Sequence, residues 1–470
     1  MLNERGVATW LYGCGVQGNP PRIHPTSAPG RGERPLKGRV ALWLRLSSRY
    51  EPVVLGAPVL GYRPAYFAAC PLEQKGRTDM RKSKKWAAFG ITGALTLAAN
   101  MGAAGTSEAA VAPRADAAMM YNVGVVLTYS NTDFWSAYDS YQAQFAKQLG
   151  VHLFTTTPTN GSIEAQNSAI ESLITVDHVK AVIVNPESAD SLGGSVGAFI
   201  AAHHADIISV DTTLSAGHAY VVVRASNLIY GQDACALMSS TVHSGYVADL
   251  EGDLASSNGA DRTDGFNACM KVNDPSVHVL KYPTVWDDTT AVSDAHTAYN
   301  LYGSKLAGIY SQWSSPETGI VGIYGGVTGF LPNFKTGTSH IHFVADDGVP
   351  FEMCNIEHSA VDASQSQPAN LYAEWSLKFA IMADQGKTLK VGENFGGLSL
   401  INQTYSGDTN LGYPIVAPII TKTAETWHLK PYTVDGQKFG GTIVTTPVSD
   451  HQTWGWQYTM AHGGNPCTVS

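Results

Sequence analysis

Charge is scarce in this chain and unevenly spread. Only 15% of the 470 residues are Asp, Glu, Lys or Arg, where about a quarter is usual. After residue 114 just two arginines remain, Arg224 and Arg262. Residues 1–120 hold 16 Lys and Arg against 7 Asp and Glu, so the remainder carries 14 against 32, a balance of −18. A body this acidic repels phosphate backbones and anionic lipid, so nucleic acid is not an expected partner. No Cys-x-x-Cys pair is present, which speaks against a zinc ribbon or a thioredoxin-type site. The histidines show no His-Glu-x-x-His or other metal-ligand spacing, and neither a metal nor a cofactor is expected. Low-complexity tracts and short repeats are also absent. What is abundant is apolar residue, 44% of the chain, enough to build the cores of two domains.

Residues 1–79 are rich in Arg, Gly and Pro and lack sustained periodicity, so they read as a non-native or disordered upstream extension. Met80-Arg81-Lys82-Ser83-Lys84-Lys85 then precedes an apolar run from Trp86 to Ala99 and small residues at Ala103, Ala104 and Ala109. That order is a secretory signal peptide over 80–110, with Met80 as the expected start. This run of about 14 residues falls short of the roughly 20 that span a bilayer. No Cys follows closely, so a lipid anchor has no attachment point and a periplasmic location is expected. In an oxidising compartment Cys235, Cys269, Cys354 and Cys467 permit two disulfides in three connectivities. Pairing in sequence order, Cys235 with Cys269 and Cys354 with Cys467, is preferred, with free buried thiols the alternative.

From Asn122 onward, short β-branched runs alternate with amphipathic stretches. Val123–Thr128, Val151–Thr156, Ala181–Val184 and Ile207–Val210 read as strands, separated by helices at Phe134–Leu149, Ser162–Ile174 and Ser188–Ala202. After Tyr220–Val223 the order restarts. Helices are expected at Leu228–Ser239, Ala260–Met270 and Thr289–Tyr310, with strands at Tyr246–Glu251, Val277–Tyr282, Gly319–Tyr324 and His342–Ala345. Pro368–Ala383 makes one more helix. Beyond Val391 the pattern weakens, with Ile415–Thr421 and Thr442–Thr446 as the expected strands. The fold class is α/β, with two doubly wound parallel-sheet domains.

In such sheets ligands bind outside the carboxyl ends of the strands. Those ends carry Asn131, Asp133, Phe134 and Trp135, then Asn185, then Asp211 and Thr212. In the second half they carry Asn258, Asp261 and Arg262, then Trp286, Asp287 and Asp288, then Asp346 and Asp347. Carboxylates, an arginine and aromatic rings suit a small polar ligand. A sugar ring has CH faces that stack on aromatics and an equator of hydroxyls that need paired donors and acceptors.

Val123 to Trp135, Val182-Ile183-Val184-Asn185-Pro186 and Ile208-Ser209-Val210-Asp211 occur in the order found in the periplasmic sugar-binding proteins of type I fold. Arg262-Thr263-Asp264-Gly265-Phe266 looks like that family's Arg-x-x-Gly-Phe, and Val344 to Pro350 like its strand-Asp-Gly turn. Val361 to Pro368 is similar to its segment crossing between domains. The chain thus resembles the ribose- and galactose-binding group over roughly Asn122 to Lys387. The resemblance implies an N-terminal lobe at 121–227 plus 368–418, a C-terminal lobe at 228–367, a multi-strand hinge, and a hinge return with an atypical tail at 419–470. It implies that Phe134, Trp135 and Trp286 sandwich a monosaccharide while Asp211, Arg262, Asp347 and Gln367 bind its hydroxyls. Asn131 is a further contact. The partner would be the membrane permease of an ABC transporter, and the protein a monomer.

Two rivals exist. A periplasmic sensing subunit for a chemoreceptor or sensor kinase would use the same closure. A secreted hydrolase is suggested by Gly193-Gly194-Ser195-Val196-Gly197, but the nucleophile motif needs a strand running straight into the serine. The third expected strand ends ten residues earlier, near Asn185, so no enzyme is expected.

Overall fold

The computed structural model describes residues 121–321 and 340–468. The expected upstream extension, the signal peptide and the end of the strand at Tyr324 lie outside the described residues. The first half runs β1 (Tyr121–Val126), α1 (Asp133–Leu149), β2 (Val151–Thr155), α2 (Ile163–Thr175), β3 (Ala181–Val184), α3 (Gly194–Ala202), β4 (Asp206–Val210) and β5 (Val221–Ala225). The second runs α4 (Asn227–Thr241), β6 (Gly245–Glu251), α5 (Ser257–Asn273), β7 (Val277–Pro283), α6 (Asp288–Tyr302), β8 (Leu306–Ser311), α7 (Glu317–Val321), β9 (His342–Asp346), α8 (Pro350–Glu357) and β10 (Ala363–Gln365). Then follow α9 (Ala369–Asp384), β11 (Asn394–Phe395), β12 (Leu398–Ser399), β13 (Ile401–Tyr405), β14 (Asp408–Ile415), β15 (Ile419–Thr421), β16 (Thr426–Val434), β17 (Gln437–Val444), β18 (Thr446–Pro447) and α10 (Trp454–Ala461).

Two seven-stranded sheets result, ordered β13-β14-β5-β4-β3-β1-β2 and β18-β15-β10-β9-β8-β6-β7. Within each, the five strands of one half are all parallel. The α/β class with mostly parallel sheets is as expected. Both halves repeat one order, so each reverses direction at the equivalent place, between β1 and β3 and between β6 and β8. Ligand crevices open at such switch points. Central strands are covered by helices on both faces and therefore read as unbroken apolar runs; Ala181–Val184 is buried throughout. The chain crosses between sheets three times: from β5 to α4, from β10 to α9, and from β14 to β15.

Several expected boundaries move. The helix expected to reach Tyr310 stops at Tyr302, where Gly303 takes a positive φ of 54°. Leu306–Ser311 then enters the sheet between β6 and β9. Residues 319–321, expected in a strand, are helical in α7. The expected strand Ile415–Thr421 is broken at Val416-Ala417-Pro418, and its two ends join different sheets. Helix α3 begins at Gly194 rather than Ser188, and Ser195 sits in its first turn, not on a strand-to-helix elbow. The hairpins β13–β14 and β16–β17 and the helix α10 were not foreseen in the tail.

That tail is built into the body. The Trp454 indole donates to the Asp347 carbonyl at 2.9 Å, and its ring meets Phe134 edge-on at 6.0 Å. Disulfides join Cys235 of α4 to Cys269 of α5, and Cys354 of α8 to Cys467 beyond α10. Among the described residues no helix is long and apolar enough to cross a membrane. The second bridge closes a span of 113 residues. Replacing Cys354 and Cys467 together by serine should lower the unfolding free energy by about 2–4 kcal/mol. Urea denaturation checks this, and an unchanged midpoint would mean that packing alone holds α10.

Candidate functional site

Between the carboxyl ends of the two sets of parallel strands lies a cavity of about 500 Å³. All eight residues expected at a ligand site, Asn131, Phe134, Trp135, Asp211, Arg262, Trp286, Asp347 and Gln367, line it. Phe134 and Trp135 occupy the first turn of α1, whose start is fixed by Thr132 accepting from the Trp135 N–H. Asp211 follows β4 and Asp347 follows β9, with φ of 70° and 116°. Trp286 follows β7 with φ of 60°, and its ring lies so close over Gly252 that a Cβ there would sit 2.1 Å from it. Left-handed backbone at non-glycine residues stores on the order of 1–3 kcal/mol each and persists where the surroundings enforce it. With Val285, whose φ is 55°, four of the cavity's residues are held this way.

Arg262 reaches the cavity because α5 is pressed against α4. A Cβ on Gly231 would lie 2.2 Å from the Arg262 carbonyl, and one on Gly265 2.4 Å from that of Leu228. Any larger residue at either position would separate the helices. Asn258 and Arg262 are four residues apart on α5 and so share a face.

A closed ring of side-chain hydrogen bonds runs along the floor. Arg262 donates from Nε to Asn227 Oδ1 at 2.6 Å and from Nη2 to Gln367 Oε1 at 2.7 Å. Gln367 Nε2 donates to Asp211 Oδ1 at 3.1 Å, and Asn258 Nδ2 to Asp211 Oδ2 at 2.6 Å. Asn227 Nδ2 completes the circuit by donating to Asn258 Oδ1 at 3.2 Å. Arg262 Nη1 also donates to the Gln312 carbonyl. Asn227 and Gln367 belong to the first two crossings, Asp211 to the first sheet and α5 to the second half, so the ring joins both sheets through the segments between them. Three of the five guanidinium N–H groups are engaged by these bonds. Arg224, buried in β5, extends the network by donating to Asn258 at 3.1 Å and Asp261 at 3.0 Å.

Carboxylates outnumber this cation. Among the described residues, Glu187, Asp211, Asp253, Asp287, Asp288 and Asp347 line the cavity against Arg262. Burial pushes Asp347 up to about 6, although Arg262 and Ser314 pull the other way. Asp346, behind it, is pushed up to about 7 by burial, against Arg262 and the Tyr310 hydroxyl; its Oδ1 has no hydrogen-bond partner. Burial also raises Asp211, opposed by Arg262 and Arg224. Burial works against the charge on Arg262, but Asp346 and Asp347 more than offset it and hold it protonated.

Trp313 was missed by the sequence reading. It lines the cavity, meets Trp286 edge-on at 5.4 Å, and donates from its indole to Asp288 at 2.7 Å. With the strand placed at Gly319–Tyr324, its carboxyl end pointed to Gly325; the true β8 ends at Ser311, two residues before Trp313. Tyr129, Glu187 and Asp253 also line the cavity unforeseen. They sit in connecting segments, where no periodicity marks them.

Asp346 and Asp347 bind a proton more readily folded than unfolded. As pH falls through about 7 toward the ordinary carboxylate range, the folded state takes up protons that the unfolded chain leaves off, and stability rises. The melting temperature should therefore be higher at about pH 5 than at about pH 8. A flat or opposite trend in thermal melts would contradict the burial argument.

Residues 123–388 match the periplasmic binding protein domain family. No curated protein matches the chain. Among solved structures, an ABC transporter periplasmic solute-binding protein from Actinobacillus succinogenes with bound D-allose aligns at TM-score 0.53 and 15% identity, covering 64% of this chain and 98% of its own. An ABC transporter solute-binding protein from Burkholderia graminis in complex with D-arabinose aligns at 0.54 and 17%, covering 65% and 96%. One from Bacillus halodurans with bound myo-inositol aligns at 0.51 and 15%, covering 65% and 96%. At these identities the likeness is one of fold. By the match over more than half its length, the chain belongs to the periplasmic binding protein domain family.

Proposed function

We propose that the protein is an exported, non-enzymatic solute-binding protein that captures a monosaccharide or polyol between its two halves and delivers it to the membrane permease of an ABC importer. The observation that carries this reading is the composition of the cavity. Aromatic rings face it from both halves, Phe134 and Trp135 from one and Trp286 and Trp313 from the other. A ring of charged and amide groups forms its floor. Aromatic walls suit the CH faces of a sugar, and charge-assisted hydrogen bonds from Asp211, Asp347 and Arg262 suit its hydroxyls. About 500 Å³ lies within the usual range for small-molecule sites. The carboxylate excess disfavours anionic ligands.

Contacts from both halves mean that a ligand stabilises the closed arrangement over an open one, with bending at the three crossings. A monomer suffices for this, since one chain supplies both walls.

A thermal-shift screen with pentoses, hexoses and polyols tests the reading. A ligand at 100 times its dissociation constant adds about 2.7 kcal/mol. Neutral sugars should raise the melting temperature, while uronic acids and sugar phosphates should not. No response to any neutral sugar, or chemical turnover of a hit, would overturn the proposal. Trp286→Ala should weaken the best sugar by roughly tenfold, equivalent to about 1.4 kcal/mol, in calorimetry. Arg262→Ala is a poorer probe, because stranding buried Asp346 and Asp347 should itself destabilise the fold by about 3–5 kcal/mol.

A further inference from the structure

A second cluster of ligating side chains sits at the opposite end of the second sheet. His342 opens β9 and His340 lies two residues before it; their rings approach to 4.6 Å between centroids. Positions two apart on an extended chain face the same side. Strand β10 runs parallel to β9, with Ala363 beside Val344, which sets Asp362 against the same pair. The carboxylate is held in place by the Phe343 N–H, which donates to Oδ2 at 2.8 Å. Its Oδ1 lies 2.9 Å from His340 Nε2 and 3.7 Å from His342 Nδ1.

We propose that His340, His342 and Asp362 bind a divalent transition-metal ion of the zinc, nickel or copper class. Asp362 pairs closely with His340 but only loosely, at 3.7 Å, with His342, whose buried Nδ1 makes no hydrogen bond. The three donor atoms all lie within 4.8 Å of one another. Ligands around a tetrahedral zinc with bonds of about 2.1 Å are separated by about 3.4 Å, so small side-chain shifts bring all three onto one ion. Two imidazoles and one carboxylate select these metals over magnesium or calcium, which take oxygen ligands. Side-chain exposures of 17%, 23% and 26% leave solvent access for water at the remaining positions. The other cluster of this kind among the described residues, Cys354, His358 and Cys467, has its sulfurs closed in a disulfide. The ion would tie together the entries of β9 and β10, the strands whose far ends deliver Asp347 and Gln367 to the cavity.

Titration of the metal-stripped, oxidised full chain with zinc alone in a calorimeter tests the site. The wild type should take up an equivalent of zinc that His340→Ala and His342→Ala each weaken by at least about tenfold, the loss that even an outer-shell partner can bring. Calcium and magnesium should not compete. Equal zinc binding by wild type and both variants, or equal competition by calcium, would overturn the proposal. Should a variant fail to fold, cobalt added to the wild type decides: a visible absorption band displaced by zinc supports the site, and its absence refutes it.

Discussion

Burial of one guanidinium among carboxylates governs the middle of this molecule. Arg262 is 2% exposed, with Asp346 fully buried 3.7 Å away and Asp347 close by. Taking those charges out of water is costly, and it is tolerated where each polar group finds a directed partner. Asn227, Gln367 and the Gln312 carbonyl provide those partners for Arg262, as Ser314 does for Asp347 and Tyr310 for Asp346. The cavity floor is therefore shaped by the needs of a buried ion network as much as by a ligand. Under the proposed function, a solute would use the remaining hydrogen-bonding capacity of Arg262, Asp211 and Asp347.

The network also links architecture to motion. Its members come from both sheets and from two of the three crossings, so the bending proposed at those crossings would strain or relax the same hydrogen bonds that present the cavity's polar groups. The C-terminal helix adds a further constraint, because Trp454 holds the Asp347 carbonyl with its indole and packs its ring on Phe134. Asp347 and Phe134 line the cavity from opposite halves. A segment with weak sequence pattern thus sits against the site itself.

How far the sequence could be read depended on the kind of signal. Strands buried on both faces, such as Ala181–Val184, announce themselves as apolar runs. Helices α1 and α9 do so by their periodicity, and the rule that ligands lie beyond strand ends then places Asp211, Asp347 and Trp286. Where a strand was misplaced the same rule misdirected. The helix expected to run to Tyr310 passed over the break at Gly303-Ser304-Lys305 and hid the strand Leu306–Ser311, so Trp313 was lost with it. Glu187 and Asp253 stand in connecting segments, where local sequence carries no sign of which surface they face.

By itself the sequence determined the α/β alternation and the two repeated halves, because hydrophobic periodicity is a local property that each segment carries alone, and through the rule on strand ends it gave part of the cavity's lining. Only the tertiary structure decided that Arg262 would be engaged mainly by Asn227 and Gln367, that Trp313 would complete the aromatic wall, and that His340, His342 and Asp362 would meet. Those contacts join residues from 20 to more than 100 positions apart, and sheet register and chain crossings, not local propensity, bring them together.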